Sequence, residues 1–384
     1  MTVVDAHVHL LPGRLGEKVR QFFLQGYRPE DLAYPIDHGA ILDRLATEGV
    51  DEVWHLPYVH KPGLAAGLNE ASTATATAAA GGPVRVVAGA SVHPADDDPV
   101  ALVRAAVEDG GARVLKLHCS VGDHDADEPR LDPVWRYVSA IRLPVVVHVG
   151  HAVSGRTDGH ELDPVAHVAT RHPEAVVILA HCALPATEAA VALMDAHPNV
   201  HADLTPVGRD PVGLPAAVAE RLAHRLLLGS DAPNTPISAA ETRAAVHALG
   251  LSPAAEAAIT GGTARRLQAA IRTSETGPPT RTVSMWSSTA SAGTTWASAH
   301  ARVAATSNDP RSASLFEGAP PPQRPKWSQD ASQRATPAAT ARTIGDWATV
   351  AGRSPNELWW TSPSITPNMS SGSSIAISSG ENVE

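Results

Sequence analysis

Aromatic residues make up only 4% of this 384-residue chain and cysteine occurs twice. No apolar run reaches the roughly eighteen residues that a membrane-spanning helix needs, so no membrane span is expected. Cys119 and Cys182 have no C-x-x-C spacing and cannot build the disulfide framework of a small secreted domain, which makes a reducing cytoplasm the expected compartment. The first apolar stretch starts at Val3, with no preceding basic and apolar leader, so export through a signal peptide is not expected. Basic residues are also in deficit: 30 Lys and Arg stand against 40 Asp and Glu, for a formal net charge of -10. With no basic patch in view, nucleic-acid binding is disfavoured as the main activity.

What is present is a globular composition, 43% hydrophobic and dominated by Ala and Val. Short apolar runs predict strands at Val3–Leu10, Glu52–Tyr58, Val84–Val92, Arg113–His118, Pro144–Val149, Ala175–His181, Asn199–Leu204 and Arg225–Ser230. Helix-like stretches fall between them, among them Asp37–Glu48, Leu64–Ala80, Pro99–Asp109, Pro164–Arg171, Pro185–Ala196, Leu214–Ala223 and Ser238–Leu249. A last helix opens at Ser252-Pro253 and reaches Leu267. Eight strands alternating with helices predict an α/β fold of the (β/α)8 TIM-barrel type over residues 1–271, with a doubly wound open sheet as the alternative. Beyond residue 271 the composition changes. Residues 272–384 are crowded with Ser, Thr, Pro and Ala, lack sustained periodicity, and hold six of the eight tryptophans. This segment is expected to be a low-complexity, disordered C-terminal tail. Tryptophans scattered through such sequence also suit an altered reading frame at the end of the gene, or an accessory region that folds only on a partner.

The most informative stretch is Asp5-Ala6-His7-Val8-His9. In an extended strand His7 and His9 share a face while Val4, Ala6, Val8 and Leu10 take the other, so two imidazoles converge as at many transition-metal sites. A histidine pair on a solvent-facing strand would look the same. The downstream pattern distinguishes the two readings, because Lys116 and His118 end the fourth predicted strand, His148 the fifth and His181 the sixth, while Asp231 follows the eighth. In a barrel those strand ends form the mouth where functional groups gather.

These segments, with Leu228-Gly229-Ser230-Asp231-Ala232-Pro233 and the Ile259–Leu267 run, resemble in order the motif set of the amidohydrolase superfamily. The amidohydrolase-2 branch is the most similar. It includes aminocarboxymuconate-semialdehyde decarboxylase and several lactone hydrolases. The resemblance covers about Val3 to Leu267 and implies a metal-dependent enzyme. It implies that His7, His9, His148 and Asp231 ligate one divalent ion, most simply Zn2+, with Mn and Fe open from N/O ligands alone. It further implies that His181 lies beside the water that the metal activates, and that Asp231 also accepts that water's proton. Some relatives carry a carboxylated lysine at the position of Lys116 and bind two metals; the Leu-Lys-Leu-His pattern resembles the single-metal branch instead.

The expected reaction is hydrolysis of a small lactone, ester or amide. Non-oxidative decarboxylation of an unsaturated or aromatic acid is the alternative, and a non-catalytic metal-binding barrel the second. Lys116, His118, Arg14 and Arg156 are candidates for contact with substrate or for support of the ligands, and Arg209 is a weaker one, because guanidinium groups hold carboxylates bidentately. His55, His60, His93, His151 and His160 could line the mouth. Cys119 and Cys182 are read as packing residues. The expected partner is a small-molecule substrate, without nucleic acid or membrane, and a homodimer stays open.

Overall fold

The computed structural model describes residues 2–150 and 161–272; the expectations for His151, Arg156, His160 and the segment 273–384 lie outside the described residues. The first strand, β1 (Val4–Val8), pairs in parallel with β2 (Glu52–His55), and β2 with β3 (Arg85–Val87). The third predicted strand divides at Ala88, so that β3 ends one ladder and β4 (Gly89–Ser91) begins the next. From there β5 (Val114–Leu117), β6 (Pro144–Val147), β7 (Val176–Leu179), β8 (Val200–Asp203) and β9 (Leu226–Leu227) follow in parallel, in sequence order. The last strand returns to the first: Ala6 N–H donates to Leu228 O at 2.8 Å, Asp231 N–H to His7 O at 2.9 Å, and His9 N–H to Ala232 O at 2.7 Å. These bonds join the two ends of the sheet, as a TIM barrel requires.

Alternation along the strands sorts the side chains. Leu115, Leu117, Val145, Val147, Val177, Leu179, Val200 and Ala202 pack in one cluster with helical residues such as Val103, Val138, Val168 and Met194. Their neighbours Val114, Val146, Val176 and Ile178 pack in another with Trp54, Leu56 and Leu227. A period of two therefore places Lys116 on the face of Val114, His148 on that of Val146, and His201 and Asp203 opposite Val200 and Ala202.

Helices occupy the connections, and several begin as the sequence suggests. Asp37, Asp98, Ser238 and Ser252 each accept a hydrogen bond from a backbone N–H in the first turn of the helix they open. Two differences stand out. Residues 11–35, which no predicted strand or helix covers, contain a helix, α1 (Gly13–Phe23), and a short 3-10 turn at Pro29–Asp31. Leu15, Val19 and Phe23 carry a helical spacing there, masked in the sequence by Gly13 and Gly16. The final helix is not continuous: Pro253–Ala257 and Thr263–Ala269 flank a wider turn at Ala258–Gly262, where an added Cβ at Gly261 would come within 2.1 Å of Thr2 O. Among the described residues no helix is long and apolar enough to cross a membrane.

His201 offers a test of the burial inside the sheet. Burial lowers its pKa to about 3, against an ordinary value of 6.5. The folded chain therefore binds fewer protons than the unfolded one, so the stability this neutral ring confers is present above pH 6.5 and is lost as pH falls toward 3. Between pH 7 and pH 5 the loss from this residue is on the order of 1–2 kcal/mol. His201→Gln, which does not titrate, should lose that much less over the same interval in urea unfolding. Equal losses in both proteins would show that His201 is hydrated in the folded chain.

Candidate metal and catalytic site

The site is assembled from the carboxyl ends of strands that lie far apart in sequence. His7, His9 and Asp231 come together as a group of potential ligands whose donor atoms all lie within 4.8 Å of one another. His9 Nε2 is 3.1 Å and His7 Nε2 3.7 Å from Asp231 Oδ1. The other nitrogen of each ring is already engaged: His9 Nδ1 lies 2.7 Å from Leu56 O, and His7 Nδ1 lies 3.0 Å from Asp203 Oδ2. Both partners are acceptors, so both Nδ1 atoms carry the proton and both Nε2 lone pairs face the Asp231 carboxylate. Lone pairs and a carboxylate so close require a cation or a proton between them. That is the condition for a divalent metal, and the residues fit one.

His148 is not part of this three-residue group. Its ring stacks on His118 with centroids 3.8 Å apart and stands edge-on to His181 at 5.1 Å. Its Nε2 is buried and finds no hydrogen-bond partner among the described residues. A buried ring nitrogen left unpaired beside a ligand cluster is what a further ligand, or a group facing substrate, would show. Gly150 holds the turn after His148: at φ +75° its missing Cβ leaves room for Leu184 O, 2.3 Å from where a methyl would sit, and its N–H donates to Glu161 at 2.7 Å.

His181 follows β7 in the left-handed region, with φ 56°, as do Cys182 and Ala183. Its ring lies 4.9 Å from that of His7. Tyr58 completes the wall, 5.2 Å from the His9 ring and 5.1 Å from the His118 ring. Lys116 is fully buried beneath them, with Nζ 3.4 Å from His7 Nε2.

Burial sets the protonation of this cluster. It lowers His7 to about 3, and it drives His118, His148 and His181 down as well, with the Lys116 charge adding to the effect, so all four are neutral at pH 7. Burial also lowers Lys116 to about 8, against the pull of Asp203 and Asp231. For Asp231 burial acts upward, while a hydrogen bond from His9 and positive charge on His9, His7 and His181, wherever those rings are protonated, act downward more strongly and take the carboxyl to about 2. Asp5 differs: burial raises it to about 7, although its Oδ1 accepts the N–H of His7 and of Ser230.

Asp203 was not singled out from the sequence, yet it touches both His7 and the turn at His181. Its signal was a carboxylate closing a fully buried strand in which it shares a face with His201, Val200-His201-Ala202-Asp203. The remaining candidates fall elsewhere. His55 Nδ1 accepts the N–H of Leu10, and His93 bridges Gly122 O and the N–H of Ala95, so both tie loops together. Arg14 lies exposed in the first turn of α1, and Arg209 lies exposed with its guanidinium 3.4 Å from Asp31. Burial pushes the thiols of Cys119 and Cys182 up to about 12, as suits packing residues.

A parallel α/β barrel with a His-x-His pair, a strand-end aspartate and further histidines at its mouth defines a metal-dependent barrel enzyme class. The amidohydrolase family profile, Amidohydro_2, matches residues 4–267, and the chain belongs to that family. Among solved structures it is similar to an uncharacterised TIM-barrel protein from Bordetella bronchiseptica, with 20% identity, a TM-score of 0.55, and coverage of 70% of this chain and 99% of that one. It is also similar to an amidohydrolase II, at 18% identity and a TM-score of 0.50, covering 70% and 100% of the two chains. A third similar structure is 5-carboxyvanillate decarboxylase from Sphingomonas paucimobilis, at 15% identity and a TM-score of 0.49, with 70% and 99% covered. No curated protein sequence gives a significant match.

Proposed function

We propose that the chain is a metal-dependent hydrolase of a small lactone, ester or amide, with one divalent ion, Zn2+ by ligand type, held by His7, His9 and Asp231 and by His148 as a fourth ligand. The observation that carries this reading is the convergence of two Nε2 lone pairs and the Asp231 carboxylate on one point at the barrel mouth. When bound, such an ion acidifies a water molecule and polarises a substrate carbonyl.

The protein groups then have distinct tasks. Asp231 stays ionised at neutral pH and is the base that takes the proton of the attacking water, later giving it to the leaving oxygen or nitrogen. His181, neutral and fixed by its backbone, orients that water or donates to the oxygen that gains charge in this reading. Lys116 supplies a positive charge beneath the ligands, which offsets the carboxylates of Asp203 and Asp231.

A second reading rests on a different observation. Tyr58 lies tilted against His118, which stacks on His148, and this row of rings beside His7 and His9 is a surface suited to a planar conjugated acid. In a decarboxylase the same acid group would protonate an unsaturated carbon before the bond to the carboxylate breaks and carbon dioxide leaves. Incubating the metal-loaded protein with candidate lactones and aromatic acids in 18O-water separates the two. Label in a product carboxylate is the expected result, and carbon dioxide release without label in the product would replace hydrolysis by decarboxylation.

A further inference from the structure

We propose that Asp203 is a positioning residue that sets the tautomer of His7 and anchors the left-handed turn at His181, so that one carboxylate couples ligand readiness to the placement of the water-orienting histidine. The ligand half of this inference rests on the use of His7 proposed above. Asp203 is fully buried at the end of β8 and spends both oxygens on these two tasks. Oδ2 lies 3.0 Å from His7 Nδ1 on β1, while Oδ1 accepts the N–H of His181 at 2.8 Å and of Thr205 at 3.2 Å. β1 pairs with β2 and meets the end of β9, so it has no ladder contact with β7 or β8. The carboxylate is therefore the polar link between the strand that carries His7 and the turn that carries His181.

A carboxylate without a proton only accepts. Facing it, His7 must carry its proton on Nδ1, which leaves the Nε2 lone pair directed toward Asp231 and available to a metal. On the other side, His181, Cys182 and Ala183 all hold positive φ without glycine, a conformation that needs an external partner to persist. The first N–H of that turn finds its partner in Oδ1.

The amide of Asp203→Asn has nearly the same shape but opposite hydrogen bonding on one side. To keep the N–H groups of His181 and Thr205 satisfied, Oδ1 must stay where it is, which turns the NH2 toward His7 Nδ1. His7 must then accept there and carry its proton on Nε2, and it can no longer ligate. A side chain needed only for packing would tolerate the change.

The test uses the full chain. Long-range 1H–15N spectra of the histidine-labelled, metal-free protein, with the His7 signal assigned from a His7→Gln sample, should move from the Nδ1–H to the Nε2–H pattern in Asp203→Asn. Zn2+ affinity, read by competition with a chromophoric chelator, should fall by about 10- to 100-fold, while thermal unfolding of the metal-free variant stays cooperative. Asp203→Ala removes the acceptor without putting a donor in its place, so His7 loses its fixed tautomer and Zn2+ affinity falls less than in Asp203→Asn. An unchanged His7 tautomer in Asp203→Asn, or wild-type Zn2+ affinity there, would overturn the proposal. If the wild-type chain takes up no ion, the proposed function fails, while the tautomer measurement still decides the role of Asp203.

Discussion

A chain carrying both His7→Ala and His9→Ala is expected to fold and to emerge from dialysis against Zn2+ without a stoichiometric ion. Two of the three converging donor atoms disappear, and Asp231 with His148 as the one other proposed ligand cannot hold a stoichiometric transition metal against water. The fall in affinity should exceed the about 10- to 100-fold that removal of an outer hydrogen-bond partner costs. Stability should suffer modestly, because losing the His7 ring leaves Asp203 Oδ2 buried without its partner, at about 1–3 kcal/mol. Elemental analysis checks the metal and a thermal melt checks the fold. A full equivalent of ion in a cooperatively folded double variant would show that the metal lies elsewhere.

Gly229→Ala is expected to damage both the fold and the site, although glycine to alanine is the smallest of substitutions. A Cβ at this position would lie 2.1 Å from Thr205 Oγ1 and 2.8 Å from His7 Cβ, so the Thr205 side chain and the segment that carries His7 or Gly229 must move. Overpacking of this kind costs about 2–3 kcal/mol, which lowers the melting temperature by about 5–10 °C for a domain of this size. Because His7 is one of the two displaced neighbours, metal affinity should fall in parallel. Gly213→Ala is the control, since an added methyl there meets nothing within 4 Å and should shift stability by less than about 0.5 kcal/mol. Equal melting temperatures for the two variants would show that the segment carrying Gly229 can retreat from Thr205 and His7 without penalty.

These two variants also separate what was legible in the sequence from what was not. His7 and His9 could be paired from residue spacing, because a strand has a fixed period of two and its chemistry is local. The alternation of apolar runs and helical stretches likewise specified a parallel α/β barrel, and Lys116, His118, His148, His181 and Asp231 stood out as polar groups ending apolar strands. Gly229 carried no such signal: its importance arises from its close approach to Thr205 and to His7, the latter more than two hundred residues earlier, which only the tertiary fold creates. The helix at Gly13–Phe23 was obscured for a milder reason, since its two glycines weaken a local pattern that packing of the first loop restores.

The sequence by itself determined the strand faces, the candidate ligands and the family, because periodicity and motif order depend on neighbours along the chain. Tertiary structure decided which candidates meet. It brought Asp231 onto His7 and His9, stacked His148 on His118, and gave His55 and His93 to loop anchoring. It also raised Asp203 from a strand residue to the partner of two histidines. The reason is physical: whether a ring nitrogen is a ligand, an anchor or a proton carrier depends on what its second nitrogen meets across the barrel, and no linear spacing encodes that.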